Sequence, residues 1–91
     1  MRDEPLQYSR HALDGMKVDG FFEDDAEAAV EWPTRRYRNP DDTIEHFGYA
    51  SDGRYINVVT DLSEHYVITV IDVHKRTRDR QRRRRERRYD R

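Results

Sequence analysis

Ninety-one residues provide for one small domain and exclude a second. The chain is 41% charged, 34% hydrophobic and free of cysteine, which excludes disulfides and thiolate metal sites and leaves stability to a modest apolar core. The net charge of −1 joins two opposed parts: residues 74–91 hold eleven Lys/Arg against three acids (+8), and residues 1–73 hold seven bases against sixteen acids (−9). Such a split marks a basic arm for a polyanion or for an acidic partner.

In chain order, Pro5 to Tyr8 is long enough only for an edge strand. Ser9 offers an N-cap for a helix running to Lys17 or Val18, with Leu13 and Met16 facing inward. Asp19-Gly20 stops it. A second helix follows, in which Phe22, Ala26, Ala29 and Val30 fall at helical spacing and acids fill the first turn, where the macrodipole favours them. Pro33 ends that helix near Glu31. Thr34 to Arg38 then predicts a strand, Asn39 to Asp42 a turn, and Thr43 to Ala50 a second strand. Asp52-Gly53 is a hairpin signal leading to Arg54 to Thr60. Asp61 to Glu64 turns the chain into His65 to Val73, whose β-branched run predicts a central strand buried on both faces. The expected architecture is α+β, with two N-terminal helices on an antiparallel four-stranded meander over residues 1–73. Residues 74–91 form a basic C-terminal helix or tail. On a helical wheel Asp79, Glu86 and Asp90 share one stripe of that segment, and arginines cover the rest.

The order helix, helix, meander, basic helix resembles the small RelE/ParE-like toxins, in particular the BrnT type. Ser9-Arg10-His11-Ala12-Leu13, Met16, Gly20, the acid-led second helix and Trp32-Pro33 look like the opening of a bacterial domain family of unknown function related to those toxins. Val67-Ile68-Thr69-Val70 matches its closing strand, and Glu86-Arg87-Arg88-Tyr89 looks like the ending of BrnT-type chains. The resemblance spans roughly residues 9–73. It implies a metal-independent ribonuclease of a toxin–antitoxin system. In such enzymes the end of the last strand often carries a catalytic histidine or tyrosine, here His74, and an arginine near the hairpin binds phosphate, here Arg54. Gly15 and Asp19 stand where the family's opening commonly has arginine, and Phe22 where it usually has a Ser or Thr cap.

RNA cleavage without a metal needs a base for the 2′-hydroxyl, an acid for the leaving oxygen and cations for the developing charge. His74, Arg54 and His11 are the catalytic candidates. The plain alternatives are a first tail residue for His74, a hairpin-end charge for Arg54, and for His11 a ring that fixes helix on sheet. His46 and Glu45 point to opposite faces of their strand. His65 belongs to a turn, as a solvated histidine. Tyr37, Tyr49, Tyr55 and Tyr66 could stack on bases, although tyrosines on a small sheet more often fill a core. Arg76, Arg80, Arg83, Arg84 and Arg87 are the candidates for nucleic-acid contact. The four histidines lack close ligand spacing, so neither a metal nor another cofactor is expected.

Two functions compete. One is a toxin-type ribonuclease acting on RNA and neutralised by an acidic antitoxin. The other is a non-catalytic accessory protein of the same fold that binds nucleic acid or an acidic protein through the basic tail. Homo-oligomers formed by tails lying on acidic bodies are a third possibility. No apolar run approaches a membrane span or signal core, so the expectation is a cytoplasmic protein with no membrane partner.

Overall fold

The structure, a computed structural model, describes residues 4–75. The expected C-terminal helix, with Arg76, Arg80, Arg83, Arg84 and Arg87, lies outside the described residues. The elements are β1 (Gln7–Tyr8), α1 (Arg10–Asp19), α2 (Glu23–Glu31), β2 (Arg35–Arg38), β3 (Thr43–Tyr49), β4 (Tyr55–Asp61) and β5 (Tyr66–Asp72). Among them the strands form one sheet in the order β1-β5-β4-β3-β2. Strands β2 to β5 pair antiparallel in sequence order, and β1 lies parallel to β5. The sheet is therefore five-stranded and mixed, where four antiparallel strands were expected. The short run before Ser9 joins it because Gln7 N–H donates to His65 O and Ser9 N–H to Val67 O.

Both helices cover one face of this sheet, α1 over β5 and α2 over β3 and β4. Ser9 starts α1 as expected: its Oγ accepts from Ala12 N–H at 3.0 Å and donates to Ile68 O at 2.6 Å, so one hydroxyl caps the helix and docks it on β5. Gly20, at φ 73°, ends the helix in the left-handed conformation that glycine adopts without strain. The start of α2 has no hydroxyl cap, and Asp25 serves instead. Its carboxylate accepts from Phe22 N–H at 2.9 Å and from Ser51 N–H at 2.8 Å, tying the helix to the β3–β4 hairpin. Asp25 is buried in doing so.

The core comprises Ala12 and Met16 of α1, Phe21, Ala26, Ala29 and Val30 around α2, and Ile56, Val58, Val67 and Val70 of the sheet. Two inward assignments are corrected: Leu13 is 45% and Phe22 70% exposed. Phe22 is the N-cap of α2, with extended backbone at φ −103° and ψ 160°, so helical phase does not govern it, and small residues set both helices close to the sheet. Gly15 and Ala12 bring α1 close to β5, and an added Cβ at Gly48 would lie 3.1 Å from both Cα and Cβ of Ala29, so α2 rests on the sheet backbone with no room for larger side chains.

Strand β5 is also corrected, since it is buried on one face only. Val67, Val70 and Asp72 are buried, whereas Ile71 is exposed. A β-bulge accounts for the misleading run. Val59 pairs with Thr69 and Thr60 with Val67, which leaves Ile68 extra and puts Val67 and Val70 on the same face despite their odd spacing.

Candidate functional site

Strand alternation assigns every sheet residue to a face. Ile44, His46, Gly48, Ile56, Val58 and Thr60 point toward the helices. Glu45, Phe47 and Tyr49 of β3 then point away, as do their register partners Tyr37, Asn57 and Tyr55 and, through Phe47, Arg35. No helix among the described residues covers this second face. Tyr37, Tyr49, Tyr66 and Ile71 are exposed there, each by 40% or more.

The rings on this face form a continuous row. Tyr37 meets Phe47 edge to face with centroids 6.0 Å apart, and Phe47 stacks on Tyr55 at 5.7 Å with 23° between planes. Tyr49 lies tilted at 5.0 Å from Tyr55, and the His74 imidazole stacks on the other side of the group at 5.9 Å from Tyr55. The Arg35 guanidinium sits 5.5 Å from the Tyr37 ring centroid, a cation–π arrangement that extends the row with a positive charge. Tyr55 is pinned by a 2.9 Å hydrogen bond between its hydroxyl and that of Thr34. The rings pack on one another at angles from 23° to 85° with a cation at one end, so the surfaces left to an unpaired base are those of the exposed rings Tyr37, Tyr49 and His74.

Two polar groups lie beside Phe47. Asn57, opposite it in register and only 4% exposed, donates from Nδ2 to Glu45 Oε1 at 2.9 Å. Its Oδ1 is buried and accepts no hydrogen bond from the described residues. Exchanging the two amide atoms would set oxygen against carboxylate, so the orientation is fixed by chemistry.

The three catalytic candidates are not brought together. Arg54 points to the helix side, where it donates to Asp19 O at 2.6 Å, Gly20 O at 3.2 Å, the Asp52 carboxylate at 2.7 Å and Asp72 Oδ2 at 3.5 Å. Its guanidinium also covers Phe21 at 4.1 Å. These contacts cap the carbonyl end of α1, so the side chain is occupied by the fold. His11 lies near the other end of α1 and is exposed, its neighbour Ala12 being the residue that packs. Only His74 reaches the ring face.

His46 is fully buried on the helix side. Its Nδ1 lies 2.9 Å from Val58 O and its Nε2 2.9 Å from Glu64 Oε1, both acceptors, so both ring nitrogens are placed to donate. Arg36 Nε donates to the same Glu64 oxygen at 2.7 Å. The Arg36 hydrogen bond first, and that of His46 after it, pull the Glu64 carboxyl down to about 2. With no exposure, His46 serves to lock the β4–β5 turn onto β3. His65 is exposed. Among the described residues no group of three or more His, Asp or Glu is placed to hold a metal, and no helix is long and apolar enough to cross a membrane.

The sequence lists these rings without uniting them, because each tyrosine taken singly fits a core as well as a surface. The uniting signal is parity: Phe47 and Tyr49 two apart on one strand, with Tyr55 two residues past the Asp52-Gly53 turn, put three rings on one face. Comparison with protein-family models, with curated proteins and with solved structures finds no match to this chain.

Proposed function

We propose that this protein is a non-catalytic single-stranded RNA-binding module, in which the helix-free sheet face stacks bases and the arginine-rich segment after Lys75 holds phosphates. The observation that carries the reading is the row Tyr37, Phe47, Tyr55, Tyr49 and His74 on the helix-free face, with Tyr37, Tyr49 and His74 exposed, Phe47 and Tyr55 half-buried between them, and Arg35 at its flank. Unpaired bases offer both π-faces to such a row, whereas a duplex buries them in its own stack. The −9 body disfavours a broad basic cleft, so phosphate contact falls to the +8 segment, which begins where His74 leaves the ring face. Together with this function we propose the kinship to RelE/BrnT-like domains suggested by Ser9 to Leu13, Trp32-Pro33 and Val67 to Val70.

The test is fluorescence anisotropy of the full chain with labelled single-stranded RNA and with the matching duplex. Tighter binding of the single strand is expected, weakened by Tyr37→Ala or Tyr49→Ala. Replacing Arg76, Arg80, Arg83, Arg84 and Arg87 by Gln should flatten the salt dependence, by up to about 0.7 in the log–log slope for each phosphate that is no longer neutralised. Equal affinity for both forms, or binding indifferent to the rings, refutes the reading.

The position of His74 favours a second reading, a toxin-type ribonuclease. It stacks on the ring face at the end of the last strand, where a base for the 2′-hydroxyl would be useful. Cleavage of RNA by purified protein, and growth arrest on expression relieved by His74→Ala, would establish it. Intact RNA together with unimpaired growth removes it.

A further inference from the structure

We propose that Glu45 and Asn57 form a base-edge site that selects guanine within single-stranded RNA; the inference rests on the stacking face proposed above. On a surface meant for a polyanion, a carboxylate is a cost unless it accepts from the base itself. Glu45 stands on that surface, two residues along the strand from Phe47 and opposite Tyr37 in register. Asn57 lies across from Phe47, and its side chain spends one amide N–H on Glu45. Its Oδ1 stays buried without a donor among the described residues, which native proteins rarely tolerate without a use for the group.

The side-chain atom of Asn57 left wholly without a partner is thus an acceptor. Glu45 retains lone pairs beyond the one that Asn57 uses, and Asn57 Oδ1 adds another acceptor beside them. Guanine alone among the standard bases presents two adjacent donors on its Watson–Crick edge, N1–H and the N2 amine. Adenine and cytosine each set an acceptor ring nitrogen next to their amine, which would face the Glu45 carboxylate unfavourably. Uracil offers one N–H between two carbonyls. A guanine stacked against the Phe47 group would point its edge at Glu45, with its amine reaching Asn57 Oδ1. Asn57 is 4% exposed, so a neighbouring side chain must move, and Ile71, its cross-strand partner and 44% exposed, is the one whose rotamer change would admit the base.

The experiment uses the full chain and labelled uridine-rich ten-nucleotide RNAs carrying one central G, A, C, U or inosine, with anisotropy as the readout. The G-containing strand should bind at least about tenfold tighter than the A, C or U strands. Inosine, which keeps N1–H and lacks the amine, should fall between. Glu45→Gln replaces one acceptor by a donor, and it should bring the ratio of G to A affinity close to one. Glu45 is partly exposed, so this variant tests the site without opening the core, and a circular-dichroism melt verifies its fold. Equal affinity for all five strands overturns the guanine site and leaves the stacking face standing. No measurable binding to any strand overturns both. A preference for A or C overturns the donor argument, as does a G preference that survives Glu45→Gln.

Discussion

His74 stacks on Tyr55 on the side of the sheet opposite the Arg54 guanidinium, with ring centroids 5.9 Å apart and 25° between planes. The contact ties the end of β5 to the aromatic face, and the next residue, Lys75, pairs with Asp19 at the end of α1. Tyr55 is the hub of that face, touching Phe47, Tyr49 and His74. Replacing it by alanine removes the ring that supports the exposed Tyr49 and His74, and should weaken single-stranded RNA binding by about 1–3 kcal/mol, the worth of one base–aromatic stack lost at those rings. His74→Ala should cost less, because the imidazole is a smaller platform. The double variant should lose less than the sum, since each ring supports the other. Anisotropy titrations of the two single variants and the double variant at one salt concentration provide the check.

Arg54 should behave as a structural residue. It caps the α1 carbonyls of Asp19 and Gly20 and partners Asp72, whose side chain is 2% exposed. Arg54→Gln removes the charge-assisted bonds to the α1 carbonyls and to Asp52 and Asp72, a loss of about 3 kcal/mol. Urea denaturation should show it, while RNA affinity of the folded variant changes by less than about twofold. A phosphate-binding role would give the opposite pattern, with affinity reduced and stability kept.

The parts of the fold set by local chemistry were legible in the sequence. Ser9, Gly20, Pro33 and Asp52-Gly53 punctuate the chain where the structure places caps and turns. What failed did so where backbone geometry overrides pattern. The bulge at Ile68 broke the alternation of β5, and Phe22, as the extended N-cap of α2, stands outside the helical phase that its spacing suggests. Pro5 to Tyr8 reads as no more than an edge strand, which β1 is, but two residues without periodicity could not show that it joins the sheet parallel to β5. For the candidate site, parity across the Asp52-Gly53 turn could place Phe47, Tyr49 and Tyr55 on one face, but the addition of Tyr37 and His74 depends on the register of β2 and on the course of the chain after β5. It also could not reveal that the hairpin-end Arg54 reaches back to a helix terminus that the chain left thirty-four residues earlier.

Gly48 sets the distance between helix and sheet. An alanine there would place its Cβ 3.1 Å from two atoms of Ala29, one of them backbone, so α2 must shift or the strand must bend. Gly48→Ala should therefore destabilise by about 1–3 kcal/mol. Adding Ala29→Gly costs about 1 kcal/mol in helix propensity but relieves the clash with the side chain. The pair should be more stable than the two single effects predict by addition. A thermodynamic cycle from four urea curves measures this, and strict additivity would mean that the two positions do not press on each other.

Acid should unfold the protein partly through Glu64. In the native state the Arg36 hydrogen bond, and then that of His46, hold its carboxyl at about 2, whereas the unfolded chain restores the ordinary value near 4.5. Above pH 4.5 the carboxylate is ionised in both states and its contribution to stability is complete. Between pH 4.5 and 2 the unfolded chain takes up a proton that the native protein refuses, so stability falls with decreasing pH by up to about 1.4 kcal/mol per pH unit from this one group. Glu64 holds its partners at φ 61°, a left-handed conformation that a non-glycine residue adopts at some cost, which the Arg36 and His46 bonds offset. Glu64→Gln should lower stability at pH 7, because buried His46 then loses its anionic acceptor, and should flatten the decline between pH 4.5 and 2. Urea midpoints measured across that range for both proteins decide the matter, and parallel declines would show that the acid sensitivity resides in other carboxylates.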